Sequence, residues 1–231
     1  VSEYGIAYLH GKSIRERAME LIAIAHPRFR AWLVDEAKKL NLIYKDQKFI
    51  PGDKGEYPEH LETYRTTKAG MEIFLRPLRI SDEPLLKDFF YSLSDKSLYR
   101  RFISPKKGMP HQELQEIVVI DYTKGMAVVA TARKGAREEV LGLAQYGIGE
   151  NRLMAEVAFI VADACQNRGV GTELLSYMTY LARKKGLLGF TAEVLMENRP
   201  MLHLFDKMGF EMQRSGEGGV FELRMIFREG Q

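Results

Sequence analysis

The chain has 231 residues, of which 45% are hydrophobic and 28% charged. That is ordinary globular composition, enough for one large domain or one domain with an appendage. Its 34 basic and 31 acidic residues leave a net charge of +3, too mild to argue for nucleic acid. The longest apolar runs, LIAIA (21–25) and VAFIV (157–161), are far too short to span a membrane. The lone Cys165 excludes an intrachain disulfide and fits a reducing cytoplasm.

Residues 14–25 place Ile14, Ala18, Leu21, Ile22 and Ala25 at helical spacing, and Ser13 with Glu16 has capping-box spacing. His26-Pro27 ends that helix, because the residue before proline avoids the helical region. A second helix is expected over 28–40, with Trp32, Leu33, Ala37 and Leu40 as its stripe. Residues 44–70 are polar, contain Pro51-Gly52 and Pro58, and read as a linker. A second text starts near Met71. EIFLRPLR (72–79) is an expected strand, and Ser81-Asp82-Glu83-Pro84 opens a helix. Short helices follow over 82–93, 95–103 and 111–120. Strands are expected at 126–133, 139–148 and 153–161, a helix at 169–185, a strand at 189–195 and a helix at 200–208. Two closing strands, from Phe210 and from Val220, flank the turn SGEGG. Strands that first meander and then alternate with helices predict a mixed α/β sheet over residues 71–229.

The stretch CQNRGVGTELL (165–175) stands between an expected strand and an expected helix. A helix mouth presents unpaired N–H groups and the positive end of the helix dipole, which together bind phosphate. Glycines let the backbone approach an anion, and Arg168 adds charge. The residues of this loop alone also fit a plain tight turn.

The Gln-x-x-Gly-x-Gly spacing of 166–171, followed by Glu197-Asn198 and by FDKMGF (205–210), resembles the GNAT family of acetyl-CoA-dependent N-acetyltransferases. The resemblance covers residues 72–228 and includes RPLRISDEPLL and the closing strand pair. It implies the GNAT fold, a mixed central sheet, here with an N-terminal helical extension, and acetyl-CoA as cosubstrate. It also implies that the loop Gln166, Asn167, Arg168, Gly169, Val170, Gly171 and Thr172 wraps the pyrophosphate. By the same resemblance Phe159, Ile160 and Val161 pair with the pantetheine arm, and Asn198 contacts the cofactor.

An amine must lose a proton before it attacks a thioester, and a partly buried carboxylate is suited to take it. Glu156 lies inside the apolar run LMAEVAFIV, where many GNAT enzymes carry their base, and AEVAFIV is similar to the stretch in bacterial protein-lysine acetyltransferases. Strand alternation that points Glu156 to solvent is the other reading. Phe205 stands where the family commonly has the tyrosine that protonates the leaving thiolate, so water or another donor such as Tyr180 would have to serve. Cys165 has no histidine near it in sequence and reads as packing. His203 is expected to be exposed, and no histidine has metal-ligand spacing. SLSDKSLYRRFISP (92–105) is similar to a segment of protein-lysine acetyltransferases, which implies that Tyr99, Arg100, Arg101 and Phe102 line the acceptor groove. An amphipathic helix with Leu98 and Phe102 inward fits the same residues.

The first residues, with YGIA-x-L-x-GKS-x-RERA and His26-Pro27, resemble the extreme C-terminus of the acetyl-CoA hydrolase/CoA-transferase family over residues 2–43. With Val1 in place of a methionine, this implies a piece of a longer protein. Residues 1–43 would be a transferase remnant and 44–70 the linker, in a parent that fuses a CoA-transferase to the acetyltransferase. Leu21, Ile22, Trp32 and Leu33 are then expected either to pack on the second domain or to leave a surface for oligomerisation. The leading expectation is acetyl transfer to an amine acceptor, a protein lysine above all. The alternative is a non-catalytic CoA-sensing module of the fused transferase.

Overall fold

The structure, a computed structural model, describes residues 1–50, 57–106, 108–135, 137–149 and 153–228. Pro51-Gly52 and residue 229, the expected C-terminal bound, lie outside them. Helices α1 (Ile14–Ala23) and α2 (Pro27–Lys39) form as expected. Glu16 N–H donates to the Ser13 hydroxyl at 3.3 Å and Ser13 N–H to the Glu16 carboxylate at 2.8 Å, completing the capping box. Pro27 opens α2, where its missing N–H costs nothing. The apolar stripes are narrower than expected. Met19, Ile22, Val34, Ala37 and Ile43 bury one another with Ile80 packed against them, while Ile14, Leu21, Trp32 and Leu40 remain exposed. Two short helices packed as a pair bury one seam, and apolar residues off that seam stay exposed.

Part of the segment expected as a linker is strand. β1 (Thr63–Thr66) pairs antiparallel with β2 (Glu72–Pro77), Thr63 opposite Leu75 and Thr66 opposite Glu72. The turn between them closes with Gly70 N–H donating to the Thr67 carbonyl at 2.8 Å. Then follow α3 (Glu83–Tyr91), α4 (Asp95–Phe102), α5 (His111–Val118), β3 (Gly125–Lys134), β4 (Arg137–Ile148) and β5 (Met154–Val161). The chain closes with α6 (Val170–Lys184), β6 (Gly189–Leu195), α7 (Arg199–Lys207), β7 (Glu211–Glu217) and β8 (Val220–Ile226). One sheet runs β1-β2-β3-β4-β5-β6-β8-β7, and only β5 and β6 are parallel neighbours. Their connection is the long crossover through α6 that parallel pairing demands.

Alternation sorts the strands into two layers. Val128, Ala130, Ala155, Val157 and Phe159 share a core with Val170, Leu174, Leu175, Met178 and Leu181 of α6 and with Leu202 and Phe205 of α7. Val129, Leu143 and Ile160 face the other way, against Leu86, Phe90, Leu98 and Leu114 of α3 to α5. Each of the larger side chains among them contributes about 1.5–3 kcal/mol by leaving water. Arg76 locks β2 to the elements after it. Its guanidinium donates to both Asp82 carboxylate oxygens at 2.7 and 3.0 Å and to both Glu138 oxygens at 3.1 and 3.2 Å. A polar seam fastens the helical extension: Glu83 accepts from Arg15 at 3.2 Å and from Gln115 at 2.6 Å, lies 2.7 Å from His111 Nδ1, and Ser81 donates to Glu20 at 2.6 Å.

Candidate active site

β5 and β6 stay paired for only three positions, Met154 with Gly189, Ala155 with Phe190 and Glu156 with Thr191. β4 holds the far side of β5 as far as Val161, opposite Gly142. From Val157 onward β5 has no strand partner on its β6-facing side among the described residues, so backbone groups there are open to an extended ligand, save the Val161 carbonyl, which accepts from the Gln166 amide. Beyond the end of β5 the chain turns through Asp163–Cys165 and enters α6 at Gly169. A cleft of about 550 Å³ opens there, and a crevice between β5 and β6 is lined by Ala158, Ala192 and Val194.

Gln166, Asn167, Arg168, Gly169, Gly171, Thr172 and Asn198 all line this cleft, as do Phe159, Ile160 and Val161. Val170 does not: its side chain is fully buried under α6, so only its backbone is at the helix mouth. Gly169 is required by its own chain more than by an anion. Its φ is +92°, and a Cβ there would stand 3.1 Å from the Thr67 Cβ in the β1–β2 turn. The Gln166 amide is a brace: it donates to the Val161 carbonyl at 3.3 Å, to Ser97 Oγ at 3.1 Å and to Asp163 at 3.3 Å. Asp163 in turn accepts from Ser94 N–H at 2.8 Å and Ser97 Oγ at 2.6 Å. Desolvation pushes its carboxyl up, but these hydrogen bonds outweigh it and hold it below the ordinary value. Asn198 is buried and caps α7, its Oδ1 accepting from Met201 N–H at 3.4 Å.

Glu156 sits at the vertex where the two parallel strands part, between Gly147 of β4 and Thr191 of β6. It is exposed, where a partly buried carboxylate was expected, because alternation turns it away from the α6 layer. The Arg101 guanidinium lies close enough to feel its charge and donates to the Gln145 amide oxygen at 3.0 Å. Burial pulls the Arg101 pKa down to about 10. Phe205 is buried with its ring edge-on to Phe159, centroids 6.2 Å apart. Tyr180 stacks on Tyr177 and is not at the cleft, and among the described residues no tyrosine lines it. Cys165 is packed in the core and burial pushes its thiol up, as a structural cysteine. Of the α4 residues, Arg100 and Arg101 line the cleft, Leu98 is buried, Phe102 packs against the core and Tyr99 stays outside.

Lys68, Ser97, His203 and Lys207 also line the cleft and were not expected there. Lys68 lies in the β1–β2 turn; the signal for it was Ala69-Gly70 between two strand-like runs, the mark of a hairpin. His203 is exposed on α7 as expected, yet stands at the rim. The charged lining comprises Lys68, Arg100, Arg101, Arg168 and Lys207 against the single Glu173, a field that suits a polyanion. Helix-mouth N–H groups, cations around them and an open strand edge thus fit an elongated ligand with phosphates at one end and amides along its length.

Comparison with known proteins agrees with this geometry. Residues 93–210 match the model of the "Acetyltransferase (GNAT) family", and residues 1–37 that of the "Acetyl-CoA hydrolase/transferase C-terminal domain". The chain is 34% identical over 155 residues to acetyltransferase Pat of Mycolicibacterium smegmatis, which covers 66% of this chain and 45% of that protein. It therefore spans less than half the length of that relative. The crystal structure of the GNAT domain of S. lividans PAT superposes with a TM-score of 0.68 at 32% identity, covering 74% of this chain and all of that one. A 48-residue stretch is 56% identical to the probable butyrate:acetyl-CoA coenzyme A-transferase of Syntrophomonas wolfei, 21% of this chain and 11% of that protein.

Proposed function

The chain belongs to the GNAT acetyltransferase family, and from that premise we propose that it transfers acetyl from acetyl-CoA to the side-chain amine of a protein lysine, with Glu156 as general base. The observation that carries this reading is the place of Glu156, at the vertex of the β5–β6 splay, one residue before Val157 of the crevice lining.

The N–H groups at the α6 mouth, with Arg168 and Lys68 beside them, hold the pyrophosphate. The open edge of β5 past Val157 takes the amides of the pantetheine arm as a strand would. Acetyl-CoA, so placed, supplies an acetyl group activated as a thioester. Glu156 accepts the proton of the incoming ammonium, directly or through one water, and frees its lone pair. N–H groups on the open β5 edge donate to the carbonyl oxygen as negative charge develops on it. With Phe205 in the tyrosine position the chain offers the leaving thiolate no phenol, and a thiol of pKa about 8.5 leaves without one near neutral pH.

Within this reading residues 1–43 are the end of a CoA-transferase domain, 44–70 a connection that lends β1 to the sheet, and 71–229 the acetyltransferase domain of a cytoplasmic fusion. The relative of pure transferase type supports the first part. The test is acetyl transfer from acetyl-CoA to lysine peptides by the purified chain and by Glu156→Gln. Turnover by the wild type and its loss in the variant, with acetyl-CoA affinity retained, is the expected result. Full turnover by the variant removes the base assignment. The absence of a cleft tyrosine favours one second reading, a CoA-sensing module: acetyl-CoA binding in calorimetry without turnover of any amine would establish it.

A further inference from the structure

We propose that Arg100 and Arg101 form a carboxylate-recognition site at the reacting end of the cleft, so that the preferred acceptor is an amine with a carboxylate close by. This rests on the acetyl-transfer reading above and names its substrate class.

Several arginines of this chain are paired from within. Arg76 makes five hydrogen bonds, to Asp82, Glu138 and the Pro77 carbonyl. Arg15 is paired with Glu83 and Arg79 with Glu62. Arg100 departs from this pattern. Among the described residues no acceptor meets its buried Nε. Arg101 donates to neutral Gln145 at 3.0 Å. A guanidinium carries five N–H donors in a planar fork matched to a carboxylate. Leaving the buried Arg100 Nε unsatisfied is costly unless a ligand fills it. The depressed pKa of Arg101 reports the same shortage of compensation.

Placement decides which anion is meant. Lys68, Arg168 and Glu173 gather at the α6 mouth with the phosphate-binding loop. Arg100 and Arg101 line the same cleft and, unlike those three, also reach the inner crevice, beside Ala158 of β5 and Glu193 of β6. Gln145, the partner of Arg101, pairs across from Ala158, two positions along β5 from Glu156 and on the same face. Two carboxylates, Glu156 and the exposed Glu193, and two guanidinium groups therefore stand around the vertex. Glu156 attracts an ammonium and the arginine pair a carboxylate, the complement of a molecule that carries both. Two sources share that chemistry: a lysine flanked by an acidic side chain in a peptide, and the α-carboxylate of a free amino acid.

The test measures kcat/KM of the full chain on matched acceptors: a lysine peptide with glutamate beside the lysine against its glutamine twin, and a free amino acid against its amide. In at least one pair the acid is expected to win by about tenfold or more, the worth of a charge-assisted hydrogen bond. Arg100→Gln and Arg101→Gln each shrink that ratio toward one, while calorimetry finds acetyl-CoA still bound. Arg101→Lys keeps the charge but not the fork, and restores only part of the ratio. Equal use of acid and neutral acceptors by the wild type overturns the proposal and leaves acetyl transfer standing. So does loss of acetyl-CoA binding in the glutamine variants with the ratio unchanged, which assigns both arginines to the cofactor. If no acceptor is acetylated, acetyl transfer fails, and calorimetry with the same peptides decides the site: a preference for the acidic peptide that the variants lose sustains it, and equal affinity overturns it.

Discussion

Arg76 and Arg100 stand in the same fold with opposite surroundings. Arg76 is buried between β2, the start of α3 and the start of β4, and every donor of its fork that matters finds a carboxylate or carbonyl of the same chain. Arg100 stands in the cleft with its buried Nε unmet among the described residues. The difference separates two uses of charge. Charge satisfied from within holds elements together, and charge left open at a strand splay is available to something that arrives from outside.

The sharpest way to separate the two regions is through Glu156. Glu156→Gln is expected to lower kcat by roughly 10²–10⁴, the usual worth of a general base, with the melting temperature unchanged because the side chain is exposed. Stopped assays with parallel calorimetric melts check both halves. Arg76→Ala should do the reverse. It leaves Asp82 with an unpaired charge, which costs about 3–5 kcal/mol and lowers the melting temperature by roughly 10 °C in a chain of this size. Gly169→Val forces a β-branched residue to φ +92°, a strain of about 1–3 kcal/mol. It should weaken acetyl-CoA in calorimetry by about ten- to a hundredfold if the strained form alone binds.

The smallest expected effect concerns the fastening of the helical extension. Desolvation raises the Glu20 carboxyl, yet hydrogen bonds from Lys12 and Ser81 outweigh it and hold the pKa below its ordinary 4.5. A carboxylate so lowered stabilises the fold above that ordinary value, and the contribution fades as pH falls through the lower folded value. Hydrogen exchange should then show α1 amides losing protection below pH 4.5 before those of β4. Equal loss in both would place the acid sensitivity elsewhere.

Much of this was legible in the residues. The α6 stripe from Val170 to Leu181 is helical in period, and the structure buries it whole. The loop from Gln166 to Gly171 was placed rightly at a helix mouth, but its parts work differently, since Gln166 braces Ser97 and Gly169 yields to Thr67. Neither partner is near in sequence, so no local pattern carries such a contact. β1 went unseen because four residues give too little alternation to outweigh the polar text around them, and Lys68 went with it. Trp32 and Leu40 looked inward by spacing, yet what a helix buries depends on what lies across from it, and that lies far along the chain. Phe205 was read from its place in the motif alone; its burial against Phe159 needed the fold.

The three-residue contact between β5 and β6 has a consequence for heat as well as for chemistry. A ligand that lies along the free edge of β5 supplies hydrogen bonds that the polypeptide itself omits, and so acts as a missing piece of the sheet. Resistance to unfolding then becomes a property of the protein together with its metabolite. At a ligand concentration a hundred times its dissociation constant the gain is about 2.7 kcal/mol.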